Sequence, residues 1–328
     1  MLNLAIIGAG RMGQVHAKAV ANDPNCTIGA IVDPFPESAE ALAKLHDCRS
    51  MSIEEVAADT SIDSVIICSP TDTHADFIEI FARAGKAVFC EKPIDLSVER
   101  VEACLAVVKE TGAKLMIGFN RRFDPAFAAA KAAIDDGSIG EVEQLVITSR
   151  DPSPPPENYI KVSGGIFRDM NIHDLDMARF LLGEEPATVF ARGSVLTDPA
   201  IGALGDFDTT SIMLTTASGK QCLINGSRRS TYGYDQRADV HGSLGTVCVD
   251  NPPLISVRTG GESGYQSPPL QDFFMTRYVD SYAAEIAAFV DCVTNDKEPS
   301  PSGEDGLKAL RLAEAALRSA TENVMVEV

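Results

Sequence analysis

The chain has 328 residues, 45% of them hydrophobic and 23% charged, with a formal net charge of −19. That length implies two domains, and the composition is ordinary for a globular protein. The acidic balance argues against binding a phosphate backbone, which excludes nucleic acid as a partner, and no apolar run approaches the ~20 residues of a membrane span.

The first predicted strand, residues 2–8, runs into Gly8-Ala9-Gly10-Arg11-Met12-Gly13 and a helix over 12–21. A second strand, 26–33, ends on Asp33, twenty residues after Gly13. This is the fingerprint of a dinucleotide-binding βαβ unit. Gly8 permits the tight turn, Gly10 lets a pyrophosphate approach the backbone, and Gly13 lets the helix pack on the strand. The helix start presents N–H groups and a partial positive charge. Asp33 stands where a carboxylate binds the adenosine ribose hydroxyls. It would repel a 2′-phosphate, and Pro34-Phe35-Pro36 brings no arginine to receive one, so NAD is expected over NADP.

Alternation continues with strands at 63–68, 86–90 and 114–118 and helices at 36–46, 73–84 and 97–110. Ser97 reads as an N-cap, and Gly85 and Gly112 fall where helices stop. The pattern predicts a doubly wound parallel sheet, an NAD-binding Rossmann domain over 1–120. After Phe119 the pattern changes to a helix at 125–135, a strand at 141–150, a stiff proline-rich loop at 152–156 and a helix at 169–182. Strands follow at 187–196, 208–217, 220–229, 236–241, 246–249 and 254–258, then helices at 275–294 and 303–322. This predicts an α+β domain over 121–328 with a mainly antiparallel open sheet, for substrate binding and oligomerisation. Ser211-Ile212-Met213-Leu214 and Cys222-Leu223-Ile224 carry enough apolar residues to pack on another subunit, so a homo-oligomer is expected.

The eight cysteines are scattered and several sit in apolar runs, as Cys68 and Cys90 do. They read as small core residues of a reducing compartment, with neither a disulfide framework nor a metal site, and the first apolar stretch is too short for a signal peptide. A cytoplasmic location is expected.

In open α/β sheets the site lies beyond the carboxyl ends of the strands. Ser69-Pro70-Thr71-Asp72-Thr73-His74, Glu91-Lys92-Pro93 and Gly118-Phe119-Asn120-Arg121-Arg122 stand there. A lysine at position 92 can donate to a substrate oxygen. Asp169 and His173 are four apart, on one face of a helix, and Asp176 shares that face. A helix start capped by Asp169 would need no chemistry; a hydride-transfer enzyme needs a base for the alcohol proton, and imidazole is poised for it near neutral pH.

Taken in order, Ala5–Gly13, Ser69-Pro70-Thr71 with His74, Glu91-Lys92-Pro93, Gly118–Asp124 and Asp169-x-x-x-His173-Asp174-x-Asp176 resemble the Gfo/Idh/MocA oxidoreductase family over essentially the whole chain. The resemblance implies NAD-dependent oxidation of a secondary hydroxyl of a cyclic polyol, myo-inositol to 2-keto-myo-inositol (scyllo-inosose). It implies catalysis by Lys92, Asp169 and His173, with His173 taking the proton, Asp169 orienting the hydroxyls or the histidine, and Lys92 stabilising the alkoxide. It places Gly8, Gly10, Arg11, Met12, Gly13, Asp33, Ser69, Thr71, His74, Glu91 and Lys92 around the cofactor, and Arg122, Asp151, Asp176, Tyr232 and Tyr234 around the substrate. It implies a tetramer. Read on the residues alone, Arg122 equally braces the chain and each tyrosine equally lies on the sheet surface. Scyllo-inositol or a pyranose sugar is the sister substrate; an NAD-bound sensor without turnover and an NAD-using glycosidase are the rivals of another class.

Overall fold

The computed structural model describes all of residues 1–328. The chain forms two compact units, Met1–Phe123 with Asp280–Leu310, and Asp124–Val279 with Arg311–Val328. This differs from a single cut at residue 120: a C-terminal stretch joins the first unit. The reason is packing. Helix Val279–Thr294 sends Ile286, Phe289 and Val290 into the same apolar core as Ile6, Phe89 and Met116.

In the first unit the strands are β1 (Leu2–Ile7), β2 (Cys26–Val32), β3 (Arg49–Ser50), β4 (Ser64–Ile67), β5 (Ala87–Glu91) and β6 (Leu115–Gly118). They form one parallel sheet in the order β3-β2-β1-β4-β5-β6. Every residue of β4 and β5 is buried, as expected of a sheet covered on both faces. The strand order switches between β1 and β4, from building outward on one side to building on the other, and the crevice outside the carboxyl ends there is where such folds bind ligands. Local chemistry sets the helices that cross over. Ser52 and Glu55 form a capping box, Ser97 accepts from the Arg100 N–H, and Gly112 ends its helix in the left-handed region.

The second unit holds β7 (Val142–Arg150), β8 (Pro186–Ser194), β9 (Thr209–Thr216), β10 (Gln221–Ser227), β11 (Asp235–Gly242), β12 (Gly245–Val249) and the short β15 (Val326–Glu327). The order is β12-β11-β7-β10-β9-β8-β15, antiparallel except for the β7–β10 pair. One face packs on helix Asn171–Leu182 and on Phe127, Leu312 and Ala316; the other is open, with Met213 and Leu223 each 40% exposed.

Three expected elements differ. The apolar run 254–258 finds no strand to pair with. Leu254, Ile255 and Val257 are exposed, and the hairpin forms instead from β13 (Thr259–Gly261) and β14 (Gly264–Gln266). The helix over 275–294 is two, Phe274–Arg277 and Val279–Thr294, because Tyr278 turns inward against the Tyr234 ring. Likewise 169–182 is a short helix Ile166–Asp169 and a longer one, Asn171–Leu182, broken at Met170.

Candidate active site

The glycine turn shows what it is for through the space at each glycine. Gly8 has φ +103°, and a Cβ there would stand 2.9 Å from the Cys68 backbone. A Cβ at Gly13 would stand 1.9 Å from the Gly8 carbonyl oxygen. The fold itself therefore requires both. Gly10 is different. Its φ is −69°, and an added Cβ meets nothing within 4 Å. Nothing in the protein demands glycine at position 10, whereas a pyrophosphate that must approach the backbone does. Helix Arg11–Asn22 has no side-chain cap and no acidic residue in its first turn, which suits an anion at its N-terminus. The Asp33 carboxylate accepts from Ala9 N–H at 2.7 Å and from Phe35 N–H at 2.9 Å, so it braces the turn and keeps acceptor capacity for ribose hydroxyls. These residues fit NAD.

Ser69 and Thr73 hydroxyls meet at 2.7 Å just beyond β4, with Thr71 opening the intervening single turn. His74 is buried beneath this turn. Its Nδ1 lies 2.7 Å from the Pro93 carbonyl oxygen and its Nε2 2.8 Å from that of Ser69, so the ring ties two loops together. Glu91 is also turned inward, its Oε1 2.6 Å from Nε2 of the buried His16. Lys92 follows directly on β5, before Pro93. Arg122 donates to Asp305 Oδ1 at 3.1 Å, which makes it a brace within the first unit.

In the second unit, Asp169 Oδ1 accepts from the Tyr159 hydroxyl at 2.8 Å, and Oδ2 from Arg228 Nη1 at 3.2 Å. Arg228 is 1% exposed and also pairs with Asp206 at 3.5 Å. Burial around its hydroxyl, and the Asp169 charge, push the Tyr159 phenol above its usual range, so it stays a donor. His173 lies in the first turn of helix Asn171–Leu182, its N–H on the Met170 carbonyl at 3.3 Å. Met170, whose backbone stays right-handed helical, separates Asp169 at the end of one short helix from His173 at the start of the next. Asp176 is buried and accepts from Arg179 Nη1 at 3.3 Å, while Arg179 also grips Glu185, so this aspartate serves an ion pair inside the unit. Tyr234 is a core residue, edge-on to Tyr278 at 5.9 Å. Tyr232 is half exposed and links Arg150 to Asp235, each at 2.6 Å. Asp151 begins the proline-rich loop, its N–H on the Ser227 carbonyl at 2.9 Å.

Sequence reasoning missed His16, Tyr159 and Arg228. His16 is 75 residues from its partner and Arg228 59 from Asp169, so no local spacing marks either pair. Tyr159 had a weak signal, since it follows the proline run closely and Pro156 caps the short helix that carries it.

Residues 2–119 match the model of the oxidoreductase family's NAD-binding Rossmann fold, and residues 131–328 that of the Gfo/Idh/MocA C-terminal alpha/beta domain. The chain is 58% identical over 327 residues to the inositol 2-dehydrogenase of Rhizobium meliloti (strain 1021), covering 100% of this chain and 99% of that one. It is 41% identical to the myo-inositol 2-dehydrogenase of Thermotoga maritima, covering 100% and 98%. The crystal structure of scyllo-inositol dehydrogenase from Lactobacillus casei, with bound NAD(H) and scyllo-inositol, superposes with a TM-score of 0.92 at 28% identity, covering 100% and 99%. The glycine turn, the two sheets and both halves of the chain thus lead to one conclusion: the protein belongs to the Gfo/Idh/MocA oxidoreductase family.

Proposed function

We propose that this chain oxidises a secondary hydroxyl of a cyclic polyol to a ketone at the expense of NAD, with myo-inositol the first candidate and 2-keto-myo-inositol the product. The observation that carries this is the 58% identity, over the full length, to an inositol 2-dehydrogenase, in a chain whose Gly10 is explained only by a ligand. When bound, NAD supplies the hydride acceptor at C4 of its nicotinamide. The chain's own part is to manage the proton and the charge. His173 takes the hydroxyl proton, as a neutral imidazole can near physiological pH. Asp169, held by Tyr159 and Arg228, is fixed in orientation and offers acceptors to the ring hydroxyls or to the histidine. The Lys92 ammonium stabilises the charge that grows on the substrate oxygen. Tyr232 and Asp151 are the remaining candidates for substrate hydroxyls, whereas Arg122, Asp176 and Tyr234 act from behind as braces or core.

The Asp33 carboxylate supports NAD over NADP, and a lower KM for NADP would overturn that preference. The open sheet with Met213 and Leu223 exposed supports a homo-oligomer, which light scattering at micromolar concentration tests. The eight free cysteines, seven of them at least partly buried, support a reducing, cytoplasmic setting. No helix is long and apolar enough to cross a membrane.

An NADH-absorbance screen at alkaline pH against inositol stereoisomers and common aldoses tests the proposal. We expect NADH with myo-inositol or a close isomer. Turnover of an aldose alone would move the substrate to a pyranose, and no NADH with any of them would leave a sensor or a glycosidase that regenerates its cofactor.

A further inference from the structure

The residues on either side of Lys92 are each held by a buried histidine from elsewhere in the first unit. Before it, Glu91 Oε1 lies 2.6 Å from His16 Nε2. After it, the Pro93 carbonyl oxygen lies 2.7 Å from His74 Nδ1. The rings are 0% and 2% exposed. His16 is wedged edge-on against Phe89 at 5.1 Å and Tyr282 at 5.7 Å, positions that an apolar side chain would fill without the cost of burying an imidazole. What a histidine adds at each place is a directed bond. Pro93 has no N–H, so its carbonyl is the only backbone group by which the residue after Lys92 can be gripped. Both ties lead back to elements of the dinucleotide fold. His16 lies on the helix that begins at the glycine turn, and His74 Nε2 reaches the Ser69 carbonyl beyond β4 at 2.8 Å.

We propose that His16 and His74 are positioning residues that clamp the chain on both sides of Lys92 and so set where its ammonium stands. The proposal rests on the reading of Lys92 as a catalytic residue. A displacement of about 1 Å at such a group costs ~10²-fold in rate, so the clamp is expected to act on kcat and to spare cofactor binding.

The two ring nitrogens make the test specific, because an asparagine amide reproduces the reach of Nδ1 and a glutamine amide that of Nε2. At position 16 the working contact is through Nε2, so His16→Gln should retain kcat within about tenfold and His16→Asn should lose ~10²-fold. At position 74 the contact to Pro93 is through Nδ1, so the order reverses and His74→Asn should exceed His74→Gln by ~10-fold. KM for NAD should stay within about threefold in all four. Labelling of Lys92 by N-hydroxysuccinimide acetate, read by mass spectrometry without substrate, should change rate in His16→Asn and His74→Gln and not in their counterparts. The same order of variants at both positions, or unchanged kcat and labelling in all four, overturns the proposal. If a histidine variant is insoluble, Glu91→Gln is read instead, with a loss of about tenfold in kcat expected from the weaker neutral acceptor and an unchanged kcat contradicting the clamp. Lys92→Ala is the control. If it keeps full activity, the catalytic reading of Lys92 has failed, which the labelling pattern distinguishes from a failure of the clamp.

Discussion

The Arg228 guanidinium, buried in the second unit, donates from Nη1 to Asp169 Oδ2 at 3.2 Å and pairs through Nη2 with Asp206 Oδ2 at 3.5 Å. It thereby serves two carboxylates at once. Arg228→Met should lower kcat by at least ~10²-fold through loss of Asp169 orientation, and should destabilise the fold by ~3–5 kcal/mol, the usual cost of leaving buried charges unpaired. Arg228→Lys keeps the charge without the fork and should fall between. Initial rates with a denaturant titration check both; a fully active Arg228→Met would mean that Asp169 needs no such support.

His173→Ala and Lys92→Ala should each lower kcat by ~10²–10⁴-fold, the range for a lost general acid–base or charge-stabilising group. After His173→Ala, NAD affinity by calorimetric titration should be unchanged within about twofold. A fully active His173→Ala enzyme would reassign the base.

The glycine turn predicts opposite behaviour at two neighbouring glycines. Gly10→Ala places its Cβ in open space, so thermal stability should move by no more than ~1 kcal/mol. NAD affinity should fall about tenfold or more, a loss of ~1.4 kcal/mol of phosphate contact. Gly13→Ala drives a Cβ to 1.9 Å from the Gly8 oxygen and should cost ~1–3 kcal/mol of stability or more. Calorimetry on both variants, with and without NAD, separates the two effects; equal stability losses would refute the assignment of Gly10 to the ligand.

Glu285 supplies a pH prediction. It is wholly buried, and an oxygen of its carboxyl lies within 4.8 Å of a ligand atom of His16 and of Glu91. Burial, with the Glu91 charge adding, holds its pKa well above the ordinary carboxyl range, and the nearby Cys68 thiol is pushed up by burial and by the same carboxylates. The folded chain then binds a proton that the unfolded chain has released. Stability from this group is full below the unfolded value of 4.5 and is lost as pH rises toward the folded value. Glu285→Gln removes that loss. Tm should rise by a few degrees at pH 8 and stay unchanged near the unfolded value. Equal shifts at both pH values would show that the Glu285 carboxyl is not held above its ordinary range in the folded chain.

The first unit was legible because its signals are local. Gly8, Gly10, Gly13 and Asp33 lie on one βαβ stretch, and the apolar runs of β4 and β5 announce buried parallel strands. Lys92, Asp169 and His173 were legible as residue types in order, but not their surroundings. Arg228 behind Asp169 and His16 behind Glu91 are tertiary pairs with no period or spacing to betray them. The bonds of His74 to the Pro93 and Ser69 carbonyls and of Asp176 to Arg179 are tertiary too, and polar residues near a site look alike in sequence whether they also meet a ligand or not. Strand 254–258 failed for the complementary reason. Its residues favour a strand, but pairing needs a neighbour, and composition does not supply one.

Isotope tracing follows the hydride from the polyol carbon to the cofactor. With myo-inositol carrying deuterium at C2, the enzyme should produce one deuterated NADH per 2-keto-myo-inositol, the label sitting at C4 of the nicotinamide. Ketone without reduced cofactor, or reduced cofactor without deuterium, would contradict that transfer.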